Sequence, residues 1–153
     1  MDEMERVEAI QWLMQLHPGA AFVFGNGLTS REAVAFLFHQ RCFYMVHGMG
    51  EALSVGMGVK SALPNTDVVV IEGDGGAVMG AASWCLLPVD GLHYYVLVNG
   101  VYETTGGQMV PLPAWEPDDV YTIQIRRGKR KSPLPPDPDT LKLNFQYWLR
   151  DNA

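Results

Sequence analysis

Residues 68–80 read VVVIEGDGGAVMG: a run of β-branched residues that enters a turn where one acid, Asp74, stands between glycines. The apolar stretch predicts a strand over 67–72, and its lack of alternation predicts a sheet covered on both faces. A glycine-lined turn at the end of such a strand lets a large charged group approach the backbone closely. Working outward, 93–99 reads as a second buried strand, with weaker strands at 20–24, 43–46 and 120–125. Apolar residues at Met4, Val7, Ile10, Leu13 and Met14 have helical spacing, ended by His17-Pro18-Gly19. Helices are also expected up to residue 40 with Ser30 as N-cap, over 51–63, over 76–87, and in a closing amphipathic segment marked by Leu141, Phe145, Trp148 and Leu149.

Strands alternating with helices imply an α/β fold: a three-layer sandwich around a mostly parallel central sheet, in one domain over 1–153. Right-handed crossovers collect the C-terminal ends of the strands on one edge. GNG (25–27), HGMG (47–50), GDGG (73–76) and VNG (98–100) each follow a strand, so four glycine turns share that edge. The dinucleotide fingerprint G-x-G-x-x-G fails twice, because Val78 and Leu53 stand where its third glycine belongs.

Composition narrows the class. Only 18% of residues are charged, with a formal net charge of −6, which disfavours a nucleic-acid partner. No apolar run reaches the roughly 20 residues of a bilayer span, so no membrane association is expected. Cys42 and Cys85 have no metal-ligand spacing and read as small buried residues, which suits a reducing, cytoplasmic setting. Four Trp and eight Met in so weakly charged a chain point to apolar surface buried either in the parallel sheet or against another chain.

Asn99 ends the strand after the Asp74 turn, one β-α-β step away, so both can reach the same edge. A carboxylate, an amide oxygen and a nearby carbonyl are hard oxygen donors of the kind Mg²⁺ prefers. Taken alone, an acid between glycines is equally a plain turn.

The pairing of GDGG with VNG resembles the signature of thiamine diphosphate enzymes. NGLTSRE, HGMGEALSVGMGVKSALPN, NGVYETTGGQ and RRGKRKSPLPP occur in the order seen in phosphonopyruvate and sulfopyruvate decarboxylases. The resemblance spans about 20–150 and covers only the C-terminal, diphosphate-binding domain of those enzymes. It implies thiamine diphosphate and Mg²⁺ as cofactors, with Asp74, Asn99 and the Val101 carbonyl as metal ligands. It implies Gly75 and Gly76 as diphosphate contacts, with Gly73, Asn99 and Tyr102 as further cofactor contacts. Met49 corresponds to the apolar residue that props the cofactor under its thiazolium ring, and the backbone of Gly48 and Met49 would meet the aminopyrimidine. Plain core packing is the other reading of Met49. His47 reads either as a proton relay or as a turn cap, and Glu51 as a helix-start carboxylate.

The catalytic glutamate of that family lies on a pyrimidine-binding domain. The resemblance therefore implies a partner subunit bearing it, in a hetero-oligomer of α2β2 or higher order, and a chain inert alone. The expected substrate is a small anionic 2-oxo acid, 3-sulfopyruvate or 3-phosphonopyruvate. The β-subunit of a 2-oxoacid oxidoreductase, another thiamine diphosphate carboligase, and a catalytically silent cofactor-binding module are the rival readings. The basic cluster Arg126, Arg127, Lys129, Arg130 and Lys131 reads as an attractor for a dianion, or as a solvated turn or partner-facing patch. The 109–119 stretch is shorter than in those decarboxylases. Asp74→Ala is expected to abolish metal-dependent cofactor retention and leave the fold intact.

Overall fold

The computed structural model describes residues 4–111, 118–128 and 134–153. The elements run α1 (Arg6–Leu16), β1 (Ala21–Phe24), α2 (Leu28–Leu37), β2 (Cys42–Tyr44), α3 (Ala52–Ala62), β3 (Val68–Gly73), α4 (Asp74–Met79), a 3₁₀ segment (Ala81–Leu86), β4 (Leu92–Val98), β5 (Val120–Gln124) and α5 (Pro138–Asn152). The five strands form one sheet in the order β2-β1-β3-β4-β5, with every pairing parallel. This is the sandwich read from the sequence.

β3 lies at the centre because its residues are apolar on both faces. Val69 and Ile71 join Phe22, Phe24, Ile10, Leu13 and Ala33 on the side of α1 and α2. Val68 and Val70 join Leu53, Trp84, Tyr94 and Val96 on the other side, beneath α3. Each such Val or Ile, fully withdrawn from water, contributes about 1.5–3 kcal/mol. The helix α3 can come this close because Gly56 faces the strand: a Cβ there would lie 2.2 Å from Val70 Cγ2. α5 covers the β2 edge, where the rings of Phe43 and Phe145 sit 5.5 Å apart. Its N-terminus is capped by Asp137, which accepts from the N–H groups of Asp139 and Thr140.

Three local expectations are corrected. Ser30 is not an N-cap. α2 starts earlier, at Leu28, from Gly27 at φ 101°, which only glycine adopts readily, and Ser30 is buried inside it. The helix expected over 76–87 begins at Asp74 and ends at Met79; Gly80 then passes into the 3₁₀ segment, because its backbone packs against the Gly50 carbonyl. Cys42 is buried as expected, but Cys85 is exposed.

The chain leaves β1 for β2 on one side and returns through α3 to β3 on the other. The direction of winding therefore reverses between β1 and β3. In open parallel sheets a crevice opens at such a point, beyond the C-terminal strand ends.

Candidate functional site

A cleft lies at that point. The turns after β1, β2, β3 and β4 all contribute to it, through Asn26 to Thr29, Met49, Gly73 to Gly76, and Asn99 with Val101 to Thr104. The structure thus brings Met49, Gly73, Asp74, Gly75, Gly76, Asn99, Val101 and Tyr102 together. Gly48 and His47 are not part of the lining, and His47 is exposed.

Asp74 is the first residue of α4 and only 3% exposed. Its Oδ1 accepts from the Gly75 N–H at 2.9 Å; its Oδ2 accepts from Gly100 at 2.7 Å and Asn99 at 3.1 Å. Gly100, at φ 78°, makes the bend that turns both N–H groups toward the carboxylate. Asn99 Oδ1 accepts from the Val101 N–H at 2.9 Å. Asx bonding of this kind sets the side-chain oxygen beside its own loop. The loop is closed by an antiparallel bridge between Val101 and Met109. Tyr102 lies over Gly75, where an added Cβ would fall 2.5 Å from the ring.

The donor set fits a hard cation. No cationic side chain among the described residues pairs with the Asp74 carboxylate, although it is withdrawn from water. An acid so placed, with an amide oxygen and a backbone carbonyl in the same cleft, is suited to a divalent ion with open positions for phosphate oxygens. Among the described residues, no group of three or more His, Cys, Asp or Glu is placed to hold a metal. One expectation needs revision: the Gly75 N–H is already engaged by Asp74, which leaves Gly76 as the less encumbered donor at that turn.

Two features of the site escaped the sequence reading. Arg6, from α1, lines the cleft and is 5% exposed. It donates to Glu32 of α2 at 3.0 Å and to Glu103 of the Asn99 loop at 2.5 Å. Its partners lie 26 and 97 residues away, and no local pattern announces them. Glu103 is held by Arg6 and by the Gly128 N–H. The second feature is Glu72, 2% exposed beneath the turns, whose carboxyl burial pushes up to about 7 while hydrogen bonds from Tyr94 and Gly50 pull it back. A single acid closing an otherwise apolar strand was the available signal.

Beside Asn99, the exposed Arg127 donates Nε–H to the Asn99 carbonyl at 3.1 Å, and its Nη2 lies 3.7 Å from where a Gly100 Cβ would be. Arg126 is tied through its backbone to Met4. Lys129, Arg130 and Lys131, with most of the shortened 109–119 stretch, lie outside the described residues.

Comparison with known proteins decides the family. Residues 30–125 match the family described as thiamine pyrophosphate enzyme, C-terminal TPP binding domain. The chain belongs to that family. The thiamine pyrophosphate enzymes' domain thus runs here from α2 to β5 and contains every lining residue except Arg6 and those of the β1 turn. A phosphonopyruvate decarboxylase of Streptomyces hygroscopicus is 41% identical over 118 residues, covering 71% of this chain and 29% of that protein. A sulfopyruvate decarboxylase subunit beta of Methanothermobacter thermautotrophicus is 32% identical over 108 residues, covering 69% of this chain and 58% of that subunit. A subunit beta of 2-oxoacid:ferredoxin oxidoreductase 2 from Aeropyrum pernix is 40% identical over 77 residues, 48% of this chain and 24% of that protein. The chain therefore spans under two thirds of the length of these relatives. No helix among the described residues is long and apolar enough to cross a membrane.

Proposed function

We propose that this chain is the diphosphate- and Mg²⁺-binding subunit of a split thiamine diphosphate-dependent decarboxylase that converts 3-sulfopyruvate or 3-phosphonopyruvate to the aldehyde and CO₂. The observation that carries the reading is the convergence of Asp74, Asn99 and Val101 on one cleft at the sheet's reversal point. Similarity to proteins named for those two decarboxylases supports the substrate class.

When bound, the cofactor supplies a thiazolium electron sink for the bonding pair released with CO₂, and one proton takes the place of the lost carboxylate. The chain's own residues supply grip and orientation. Asp74, Asn99 and the Val101 carbonyl hold the ion, and Gly76 offers its N–H to the diphosphate. Gly73 and Gly75 keep the turn free of side chains, and Tyr102 closes it from above. Met49, 42% exposed at the cleft edge, is free to pack beneath a ring. Arg127 places a cation beside the Asn99 turn, where the sulfonate or phosphonate of the substrate would be drawn. A partner chain contributes the pyrimidine-binding domain and its glutamate, along with the other face of the cleft. His47 and Gly48 contribute only in that assembly, at the pyrimidine side.

Calorimetric titration with Mg²⁺ and thiamine diphosphate, with and without a co-expressed pyrimidine-domain chain, tests the reading. Metal-dependent binding followed by CO₂ release from sulfopyruvate or phosphonopyruvate supports it. The Aeropyrum similarity favours a second reading, the beta subunit of an oxidoreductase, which would instead pass electrons to an acceptor. Binding with no turnover of any 2-oxo acid would identify a silent module.

A further inference from the structure

Arg127 is exposed, and an exposed arginine that makes one hydrogen bond would ordinarily swing freely on its long stem. Here its Nε–H meets the Asn99 carbonyl at 3.1 Å, and the residue after it is fixed on two sides. The Gly128 N–H donates to Glu103 Oε1 at 2.5 Å, and the Gly128 carbonyl accepts from Arg6 Nη1 at 3.4 Å. Arg6 Nη2 closes the triangle on Glu103 Oε2 at 2.5 Å. Gly128 takes up this position at φ 120°, where any side chain would be strained. On the other side of Arg127, the Arg126 N–H donates to the Met4 carbonyl at 2.9 Å. The backbone is thus anchored immediately before and after the residue that carries the guanidinium.

Glu103 is the member of the triangle that joins this segment to the metal turn. It is 14% exposed and belongs to the loop of Asn99 and Val101. That loop is closed by its own backbone: Tyr102 donates to the Gln108 carbonyl at 2.9 Å, and Val110 to the Gly100 carbonyl at 3.0 Å. A loop bonded in this way moves as a unit, so what holds Gly128 to Glu103 also holds Arg127 beside Asn99. A carboxylate suits the task because it offers acceptors and no donor, one oxygen to Arg6 and one to Gly128. We propose that Glu103 is a positioning residue that holds Arg127 at a fixed spacing from the metal turn, where Arg127 selects 2-oxo acids with an acidic tail. The selection rests on the function proposed above; the tie between Glu103 and Gly128 does not.

The test compares the intact wild-type chain with Glu103→Met, which matches the volume without acceptors. Amide hydrogen exchange followed by NMR should show the Gly128 amide faster by about tenfold or more in the variant, with the amides of β3 still protected. Unchanged Gly128 exchange overturns the proposal. If the variant does not fold, the wild-type chain decides: a Gly128 amide that exchanges at the rate of an unstructured peptide overturns the tie, and one slowed about 100-fold supports it. In the complex with a pyrimidine-domain chain, at saturating Mg²⁺ and thiamine diphosphate, the KM for sulfopyruvate or phosphonopyruvate should rise about tenfold in Glu103→Met and at least as much in Arg127→Met. Because Glu103 acts through Arg127, the double variant should be no worse than Arg127→Met alone, a non-additivity that a merely structural defect does not produce. Additive losses, or a KM unchanged in either single variant, remove the positioning role. A wild-type complex that turns over neither acid removes the proposed function and the selection with it, while the exchange result still decides the tie.

Discussion

The Asn99 N–H donates to the Asp74 carboxylate at 3.1 Å, so the two residues read from the sequence as sharing a cation are already tied together by the fold. Gly100 and Gly75 donate to the same carboxylate. Asp74→Ala therefore strands three N–H groups as well as removing a ligand. It should cost about 1–3 kcal/mol or more, since each unpaired donor carries a desolvation penalty of that order. The sequence-based expectation of an intact fold is revised accordingly. Asp74→Asn is the cleaner probe: it keeps an acceptor oxygen and removes the charge. Urea denaturation should show it closer to wild type than Asp74→Ala, while calorimetry shows loss of metal-dependent cofactor retention.

Much of this arrangement was legible because β3 and the end of β4 are covered on both faces, which writes them as the apolar runs VVVI before Glu72 and YYVLV before Asn99. The parallel topology followed from the alternation of strands with helices. Gly80 was not legible: its role is a backbone approach to Gly50 across the fold, and a helical period continues through it undisturbed. Ser30 misled for a related reason. It satisfies the composition rule for a cap, yet the preceding GNG turn delivers the chain in helical geometry three residues earlier. Arg6 shows the limit most clearly, since its meaning lies entirely in carboxylates remote in sequence.

Tyr102 rests on Gly75 so closely that the two should be energetically coupled. Gly75→Ala forces the ring aside and should destabilise the chain by about 1–3 kcal/mol, the usual cost of overpacking. Tyr102→Ala removes the obstruction. In the double variant the Gly75→Ala penalty should largely vanish, and a coupling of about 0.5–3 kcal/mol should emerge from the denaturation cycle. Strict additivity would show that the ring does not lie on Gly75.

Arg6 holds α1, α2 and the Asn99 loop in one buried ion network. Arg6→Ala should cost about 3–5 kcal/mol by urea denaturation, because Glu32 is left charged, 2% exposed and without this partner. Glu32→Gln in that background should return part of the loss. Since Glu103 belongs to the loop of Asn99 and Val101, Arg6→Ala should also weaken Mg²⁺-dependent cofactor binding, though Arg6 is not among the proposed ligands.

At the opposite edge of the sheet, His17 accepts or donates at Nε2 to the Tyr95 hydroxyl at 2.9 Å, with its ring 4.6 Å from that of His93. Burial chiefly, and then the His93 charge, lower its pKa from 6.5, while Asp67, which faces His93 at 3.7 Å, raises it in part. The folded state thus takes up a proton at His17 less readily than the unfolded chain. Its contribution to stability is complete above the ordinary pKa of 6.5 and declines as pH falls through the window below it. Thermal midpoints measured on the two sides of that window should drop on the acid side, and His17→Gln, which keeps a polar partner for Tyr95 without titrating, should reduce the drop. A midpoint that rises on acidification, or one with the same slope in His17→Gln, would show that His17 is not the group the fold resists protonating.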